Sequence, residues 1–326
     1  MEKKGVTFVL FGGTGDLTRR KLVPAFAKLV YEGKISPDST IIGISRRDWR
    51  DSDYKKFLIV IEKDKKEKSY IMHLNIKFLN ADFSREGELK KLKEIIEFSE
   101  GKKCDRVFYL ATSFKFFPVI VKELKKLGLD KNSRGFARII FEKPFGNDLQ
   151  SSEALDKEIH KIFLEDYVYR IDHYLAKETV QNLNVLKFTN PLLYGSFGNR
   201  AIESIEIIVD EDLGVGNRIT YYDSAGALKD MVQSHLLQVL ALLLMERPDS
   251  LAPDHIHDKK VIVLKNLEVL PAKEHLLGQY KSYVKELEEA GMKKSKREDI
   301  KGPETIENNI DNKGKSALLK TCIKTI

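Results

Sequence analysis

The sequence predicts an α/β chain: a doubly wound parallel sheet over residues 1–170, then an α+β domain with a mainly antiparallel sheet over residues 171–326. Three observations carry this. Short β-rich runs alternate with helical patterns through the first half. Those runs are continuously apolar rather than alternating, as strands covered on both faces are. After Arg170 the pattern changes, and at about 150 residues per domain a chain of 326 residues holds roughly two.

In chain order, Val6–Phe11 reads as a first strand that ends at Gly12-Gly13-Thr14-Gly15. A helix follows, with Leu22, Phe26, Leu29 and Val30 at three- and four-residue steps, and Pro24 inside it is expected to kink it. Ile41–Ile44 is a second strand; Ile71–Asn80 is ambiguous. Val107–Ala111 and Arg138–Phe141 are two more strands, with a helix around Phe117–Leu127 between them. In the second half Ser204–Asp210 alternates, Ile205, Ile207 and Val209 against Glu206, Ile208 and Asp210, as a strand covered on one side does. Ala225–Glu246 reads as a long helix, apolar nearly all round after His235 and therefore buried. The lysine-rich stretches Glu62–Lys68 and Lys285–Lys301 read as solvated helix faces or loops.

Composition narrows the class. Apolar residues at 42% exclude a disordered or collagen-like chain. Cys104 and Cys322, the two cysteines, exclude a disulfide scaffold and a cysteine-based zinc motif. The balance of 56 basic and 49 acidic residues, +7, suits anionic small molecules as well as nucleic acid. The longest apolar run, around Leu236–Met245, is interrupted by Gln238 and too short to span hydrocarbon. Val6–Phe11 is too short for a signal segment and runs into glycines. A cytoplasmic protein with no membrane or nucleic-acid partner is expected.

Five constellations carry chemistry. The Gly12–Asp16 turn lies between a strand and a helix, where glycines admit a pyrophosphate to the helix N-terminus; the alternative is a plain tight turn. Ser45-Arg46-Arg47 ends the second strand, where an acid would suit NAD and an arginine suits the 2′-phosphate of NADP; the alternative is a solvated arginine pair. Glu142-Lys143-Pro144-Phe145-Gly146 follows a strand directly, at the end that borders a ligand crevice, and its pre-proline position admits a cis peptide. Tyr169–Glu178 packs ionisable groups into a strand-to-helix step; His173 and Lys177 share a face if the helix has begun, and a phosphate would satisfy both. A salt-bridged helix start is the alternative. His235 lies on the apolar helix and is either a satisfied core residue or, with a carboxylate on one ring nitrogen, a general base. The pair His255 and His257, between Asp254 and Asp258, reads as a loop feature, and no metal is expected.

The ordered set resembles the glucose-6-phosphate dehydrogenase family: Gly12–Leu22, Tyr109–Thr112, Glu142–Gly146, Arg170–Glu178 with Ala176 in place of a glycine, Tyr221–Gly226, Asp230–Gln238 and Met245–Pro248, over roughly residues 5–282. The resemblance implies a Rossmann-type NADP-binding domain (1–170) and a substrate-binding and dimerisation domain (171–326). It implies oxidation of D-glucose 6-phosphate at C1 to 6-phospho-D-glucono-1,5-lactone, with hydride transfer to NADP. Gly12, Gly13, Thr14, Gly15, Asp16 and Leu17 would cradle the NADP pyrophosphate and Arg46 its 2′-phosphate. Lys143 would hold the sugar and the nicotinamide side. His173, Tyr174 and Lys177 would bind the substrate phosphate, and Lys21, Glu211 and Asp230 would frame the sugar. His235 would be the base, oriented by Asp172.

Departures accompany the match. Ser113-Phe114 stands where the family commonly has a Pro-Pro pair. After Tyr280 the likeness decays to Pro303–Ile306, Ile310–Asn312 and Gly314-Lys315, Lys315 being a faint counterpart of a substrate-binding lysine. The second domain's sheet and dimer contact are therefore expected to be truncated, with a homo-oligomer still open. Two alternatives stand beside the enzyme: a non-catalytic NADP-binding relative, and a sugar dehydrogenase of the glucose–fructose oxidoreductase type, which also has an E-K-P motif but does not account for Arg170–Glu178.

Overall fold

The computed structural model describes residues 5–60, 65–100, 104–197, 201–209, 214–216, 219–268, 282–291 and 323–324. They fall into two compact units, the first ending at Ile171 and the second beginning at Asp172.

The first unit is built on six parallel strands: β1 (Gly5–Phe11), β2 (Thr40–Ser45), β3 (Asn75–Asn80), β4 (Cys104–Leu110), β5 (Ala137–Phe141) and β6 (Val168–Arg170). They lie in the order β3-β2-β1-β4-β5-β6. Phe8 of β1 is paired with Ile41 on one side and Val107 on the other. Side chains alternate faces along a strand, so continuous apolar runs feed two cores at once. Val9, Phe11, Ile42, Ile44, Phe108 and Phe141 join one cluster, and Leu10, Ile41 and Tyr109 join the other. The helices α1 (Val23–Tyr31), α2 (Asp51–Val60), α3 (Lys65–Met72), α4 (Lys90–Ser99), α5 (Phe117–Lys126) and α6 (Leu149–His160) complete the unit. The ambiguous stretch 71–80 resolves into the end of α3 and strand β3.

Pro24 occupies the first turn of α1, where a missing N–H is tolerated, and a widened π-type turn, Thr18–Leu22, leads into it. The chain runs outward from β1 through β2 to β3 and returns to place β4 on β1's other side. The carboxyl ends of β1 and β4 thus flank the topological switch point of the sheet, the place where doubly wound sheets bind ligands.

The second unit is mostly helical among its described residues: α7 (Glu178–Thr189), α8 (Pro191–Tyr194), α9 (Ile219–Ala227), a π-type stretch (Leu228–Leu236), α10 (Leu237–Leu244), α11 (Pro253–Lys265) and α12 (Tyr283–Glu289). Its described sheet is the antiparallel pairing of β7 (Ser204–Ile205) with β8 (Ile323–Lys324). The expected strand is thus shorter than its alternation, because pairing stops at Ile205; Asp210 lies outside the described residues. Val180 and Phe188 of α7 pack on Leu242 and Met245 at the end of α10. The buried ammonium of Lys187 reaches from α7 to the carbonyls of Leu243 (2.7 Å) and Met245 (2.5 Å), supplying donors that the end of α10 lacks.

The helical run Ala225–Leu244 exceeds the apolar run noted in the sequence. Its 20 residues, at a mean hydropathy of 1.2, are long and apolar enough by composition to cross a membrane. A core helix meets the same test, and this one buries Asp230 and His235.

Candidate active site

In the first unit the glycine turn is held by the sheet itself. The N–H groups of Gly12 and Gly13 both donate to the Ile44 carbonyl, at 3.2 and 2.9 Å. Gly12 has φ +87°, and a Cβ there would stand 2.3 Å from the Ala111 carbonyl oxygen. A Cβ on Gly13 would stand 2.8 Å from Gly43 Cα on β2. These two glycines are therefore demanded by strand packing. Gly15 differs: its Cβ would meet only the Gly12 carbonyl oxygen, at 3.1 Å, and open space beyond. That open face at the start of a helical segment fits a pyrophosphate. Thr14 is half-buried, Asp16 and Leu17 are exposed, and Asp16 pairs with Arg20 at 2.6 Å.

Arg46 is exposed just beyond the end of β2. Asp82 is held below the usual carboxylate range by the Ser84 hydroxyl, against a small effect of burial, and the charges of Arg46 and Arg85 add to this. Arg47 lays its guanidinium over Trp49, 4.8 Å from the ring centroid. An exposed arginine at this strand end fits a 2′-phosphate. Lys21 is exposed on the widened turn, and half-buried Lys143 follows β5 with a cis peptide to Pro144. Beside Lys143, Glu142 accepts a hydrogen bond from the Tyr109 hydroxyl; burial and this carboxylate push that hydroxyl's pKa far up. Tyr109 and Glu142 each lie in a motif noted from sequence, but their pairing was not read there, because nothing in their spacing joins two neighbouring strands.

Arg170, part of the most distinctive motif, is a brace. It bonds Asp156 at 2.6 Å and Glu165 at 2.7 Å, and Glu165 also meets His160 Nε2 at 2.6 Å.

In the second unit the chain turns through residues 173–177 before α7 begins at Glu178. His173 and Lys177 therefore do not share a helix face; Lys177 is the extended residue that caps α7 (φ −68°, ψ 131°). Both are exposed, and Lys177 Nζ sits 3.8 Å above the Tyr174 ring centroid. The turn delivers Asp172 to His235: His235 Nδ1 lies 2.6 Å from Asp172 Oδ1, which also accepts the Tyr174 N–H at 2.9 Å. Burial pushes the Asp172 carboxyl up, but the bonds from His235 and Tyr174 outweigh it, and its pKa lies below the ordinary value. Asp172 Oδ2 is buried with no hydrogen-bond partner.

His235 is fully buried. Tyr174 stacks on its ring at 4.3 Å and 17°, and His173 meets it edge-on at 4.4 Å and 73°. Asp230, 5% exposed, lies one turn earlier; burial of the Tyr222 hydroxyl raises its pKa, and the charge of Asp230 adds to this. Lys260 of α11 was missed by sequence reasoning, since an adjacent lysine disguises it as a solvated pair. It is buried; burial lowers its pKa, and the charge of Asp172 opposes that shift. Glu211 and Lys315 lie outside the described residues. His255 and His257 stand on α11 rather than in a loop, since Pro253 opens a helix there; both are exposed, and His255 Nδ1 meets the Ser250 hydroxyl at 2.9 Å.

Comparison with known proteins bears on both units. Residues 9–182 match the model for the NAD binding domain of glucose-6-phosphate dehydrogenase, and residues 184–305 match that for its C-terminal domain. The chain is 39% identical over 282 residues to glucose-6-phosphate 1-dehydrogenase of Bacillus subtilis, covering 83% of this chain and 57% of the relative. It is 40% identical over 280 residues to that of Cyberlindnera jadinii, covering 84% and 56%. An Arabidopsis thaliana relative named as cytoplasmic is 37% identical over 297 residues, covering 86% and 57%. Among solved structures, a glucose-6-phosphate dehydrogenase in complex with its substrate glucose-6-phosphate matches with TM-score 0.75 and 33% identity, covering 85% of this chain and 59% of that one. The chain thus spans between half and two thirds of the length of these relatives.

Proposed function

This chain belongs to the glucose-6-phosphate dehydrogenase family, and from that premise we propose that it oxidises D-glucose 6-phosphate at C1 to 6-phospho-D-glucono-1,5-lactone, with hydride transfer to NADP, as the first step of the oxidative pentose phosphate pathway. The observation that carries this reading is the buried His235 held by Asp172 at 2.6 Å.

Asp172 keeps its negative charge, so it can only accept, and His235 Nδ1 carries the proton between them. That tautomer makes Nε2 the basic atom. Nε2 takes the proton of the C1 hydroxyl as the C1 carbonyl forms, and Asp172 offsets the charge that develops on the imidazole. NADP, when bound, supplies the hydride acceptor. Tyr174, stacked on His235, restricts the ring to one plane. His173 and Lys177, exposed beside the dyad, suit the substrate phosphate as hydrogen-bonding and charged partners. A grip on a remote phosphate positions C1 and supplies proximity.

We assign Gly12–Leu17 to the NADP pyrophosphate and Arg46 to its 2′-phosphate. Lys143 is assigned to the sugar and nicotinamide side, and Lys21, Glu211 and Asp230 to the sugar. The domain roles, NADP binding over 1–170 and substrate binding over 171–326, and a cytoplasmic location belong to the same reading. Relatives named as cytoplasmic support the last.

The test is NADPH formation by the purified chain with glucose 6-phosphate and NADP. Turnover is expected, and His235→Asn should lower kcat by roughly 10²–10⁴-fold with the melting temperature unchanged. Turnover no higher than that of His235→Asn overturns the reading. NADP binding without turnover would select a non-catalytic relative, and activity on unphosphorylated sugars alone would select a glucose–fructose oxidoreductase type.

A further inference from the structure

We propose that Asp172, His173 and His235 also form a binding site for a divalent late transition cation, Zn²⁺ foremost, although the sequence suggested no metal. Each residue offers one ligating atom, and the three atoms lie within 4.8 Å of one another; no other group of three or more such residues stands together among the described residues. Two imidazoles and a carboxylate are the donor set that suits Zn²⁺, Co²⁺ and Ni²⁺, and three protein ligands leave a fourth position for water. The second observation is Asp172 Oδ2, a buried carboxylate oxygen that accepts no hydrogen bond. Burying such an atom without a partner is costly, and a cation removes the cost.

Access and geometry agree with this. His173 is exposed, so the cluster has an entrance from solvent. In a tetrahedral site with bonds of about 2.0–2.1 Å, ligand atoms stand about 3.4 Å apart. Atoms separated by at most 4.8 Å therefore close by roughly 1.4 Å or less, within reach of a side-chain rotation of exposed His173. The buried cation of Lys260 interacts with Asp172, and Lys177 lies over the Tyr174 ring that stacks on His235; these positive charges set a limit on affinity, and the site is suited to reversible capture rather than to a permanent structural ion. Resting on the function proposed above, capture of an ion would occupy His235 and Asp172 together with His173, and so inhibit turnover.

The experiment is calorimetric titration of the full chain with Zn²⁺, with the visible absorption of bound Co²⁺ as a second readout. One ion per chain is expected, bound about tenfold or more weakly by His173→Ala and by Asp172→Asn, and equally well by His257→Ala. Unchanged binding by both site variants, or no binding by the parent chain, overturns the proposal. The binding readouts do not require activity. Ion binding lost in the variants of a chain without turnover would leave the site standing and fail the enzyme reading; turnover in a chain that binds no ion would do the reverse.

Discussion

In the first unit the buried ion pair is closed. Arg106 meets Glu100 through two bonds, of 2.6 and 2.7 Å, and gives a third hydrogen bond to the Lys131 carbonyl at 3.0 Å. In the second unit two charged groups at the His235 cluster are open: Asp172 has an unpartnered oxygen, and Lys260 is buried with its charge set against Asp172. A closed pair has no capacity left for a ligand and serves the fold. An open one is expensive to keep buried and marks the place where a substrate, proton or ion enters. In the function proposed above, the first unit accordingly would meet its ligand through backbone geometry and the second through titratable side chains.

The sharpest way to break this contrast is at the glycines. Gly13→Ala places a Cβ 2.8 Å from the backbone of Gly43 and Ile44, so β1 and β2 must part. A loss of about 3 kcal/mol or more is expected, read as a fall in the urea midpoint. Gly15→Ala meets only one carbonyl oxygen, at 3.1 Å, and should leave the midpoint within about 0.5 kcal/mol while weakening NADP binding. Equal destabilisation by the two would show that the open face of Gly15 is structural as well.

The second unit is tested next at Lys187, which is 4% exposed. Burial lowers its pKa to about 8, the charge of Glu246 opposing. Lys187→Met leaves the carbonyls of Leu243 and Met245 without this donor and should cost about 2–4 kcal/mol. Lys187→Arg, which keeps the donors, should recover at least half of that. Should Met be neutral, the lysine would be an open charge like Lys260 rather than a clasp.

How far the molecule is legible from sequence follows the same division. β1, β2, β4 and β5 were readable because strands covered on both faces must be continuously apolar. The glycine turn was readable because its residues are adjacent. Spacing alone failed where geometry departs from the regular helix. The π-type turns at Thr18–Leu22 and Leu228–Leu236 have no periodic signature, and His173 and Lys177 lie four apart on a turn that only resembles a helix start. Asp172 and His235 are 63 residues apart, and their pairing came from family resemblance rather than from any local pattern. Lys260 was invisible because burial is decided by the packing of α11, not by its own neighbours.

Arg46 sharpens the contrast at an intermediate level, since it is a side chain working in the backbone-dominated unit. On the assignment proposed above, Arg46→Ala removes a charged partner of the 2′-phosphate and should weaken NADP binding by about 10–100-fold, measured as Kd, while NAD binding changes less than threefold or so. A parallel loss for both dinucleotides would place Arg46 on a shared part of the cofactor instead.

The smallest effect belongs to the exposed charges of the first unit, around His160. Burial pushes the His160 pKa down, but Asp156 and Glu165 outweigh it and the folded value lies above 6.5. A folded pKa above the unfolded one means that the native state binds the proton more tightly. The stabilisation is therefore fully present below pH 6.5 and fades as pH rises through the folded value. Because the pair is partly solvated, the total should be about 0.5–1 kcal/mol. The parent chain should exceed His160→Ala in melting temperature at pH 6 by more than it does at pH 9. Arg170 keeps its bonds to Asp156 and Glu165 at both pH values, so the difference isolates the histidine. A gap that is constant with pH would mean that His160 contributes packing alone, and would make the surface of the first unit as indifferent to protons as its closed core pair.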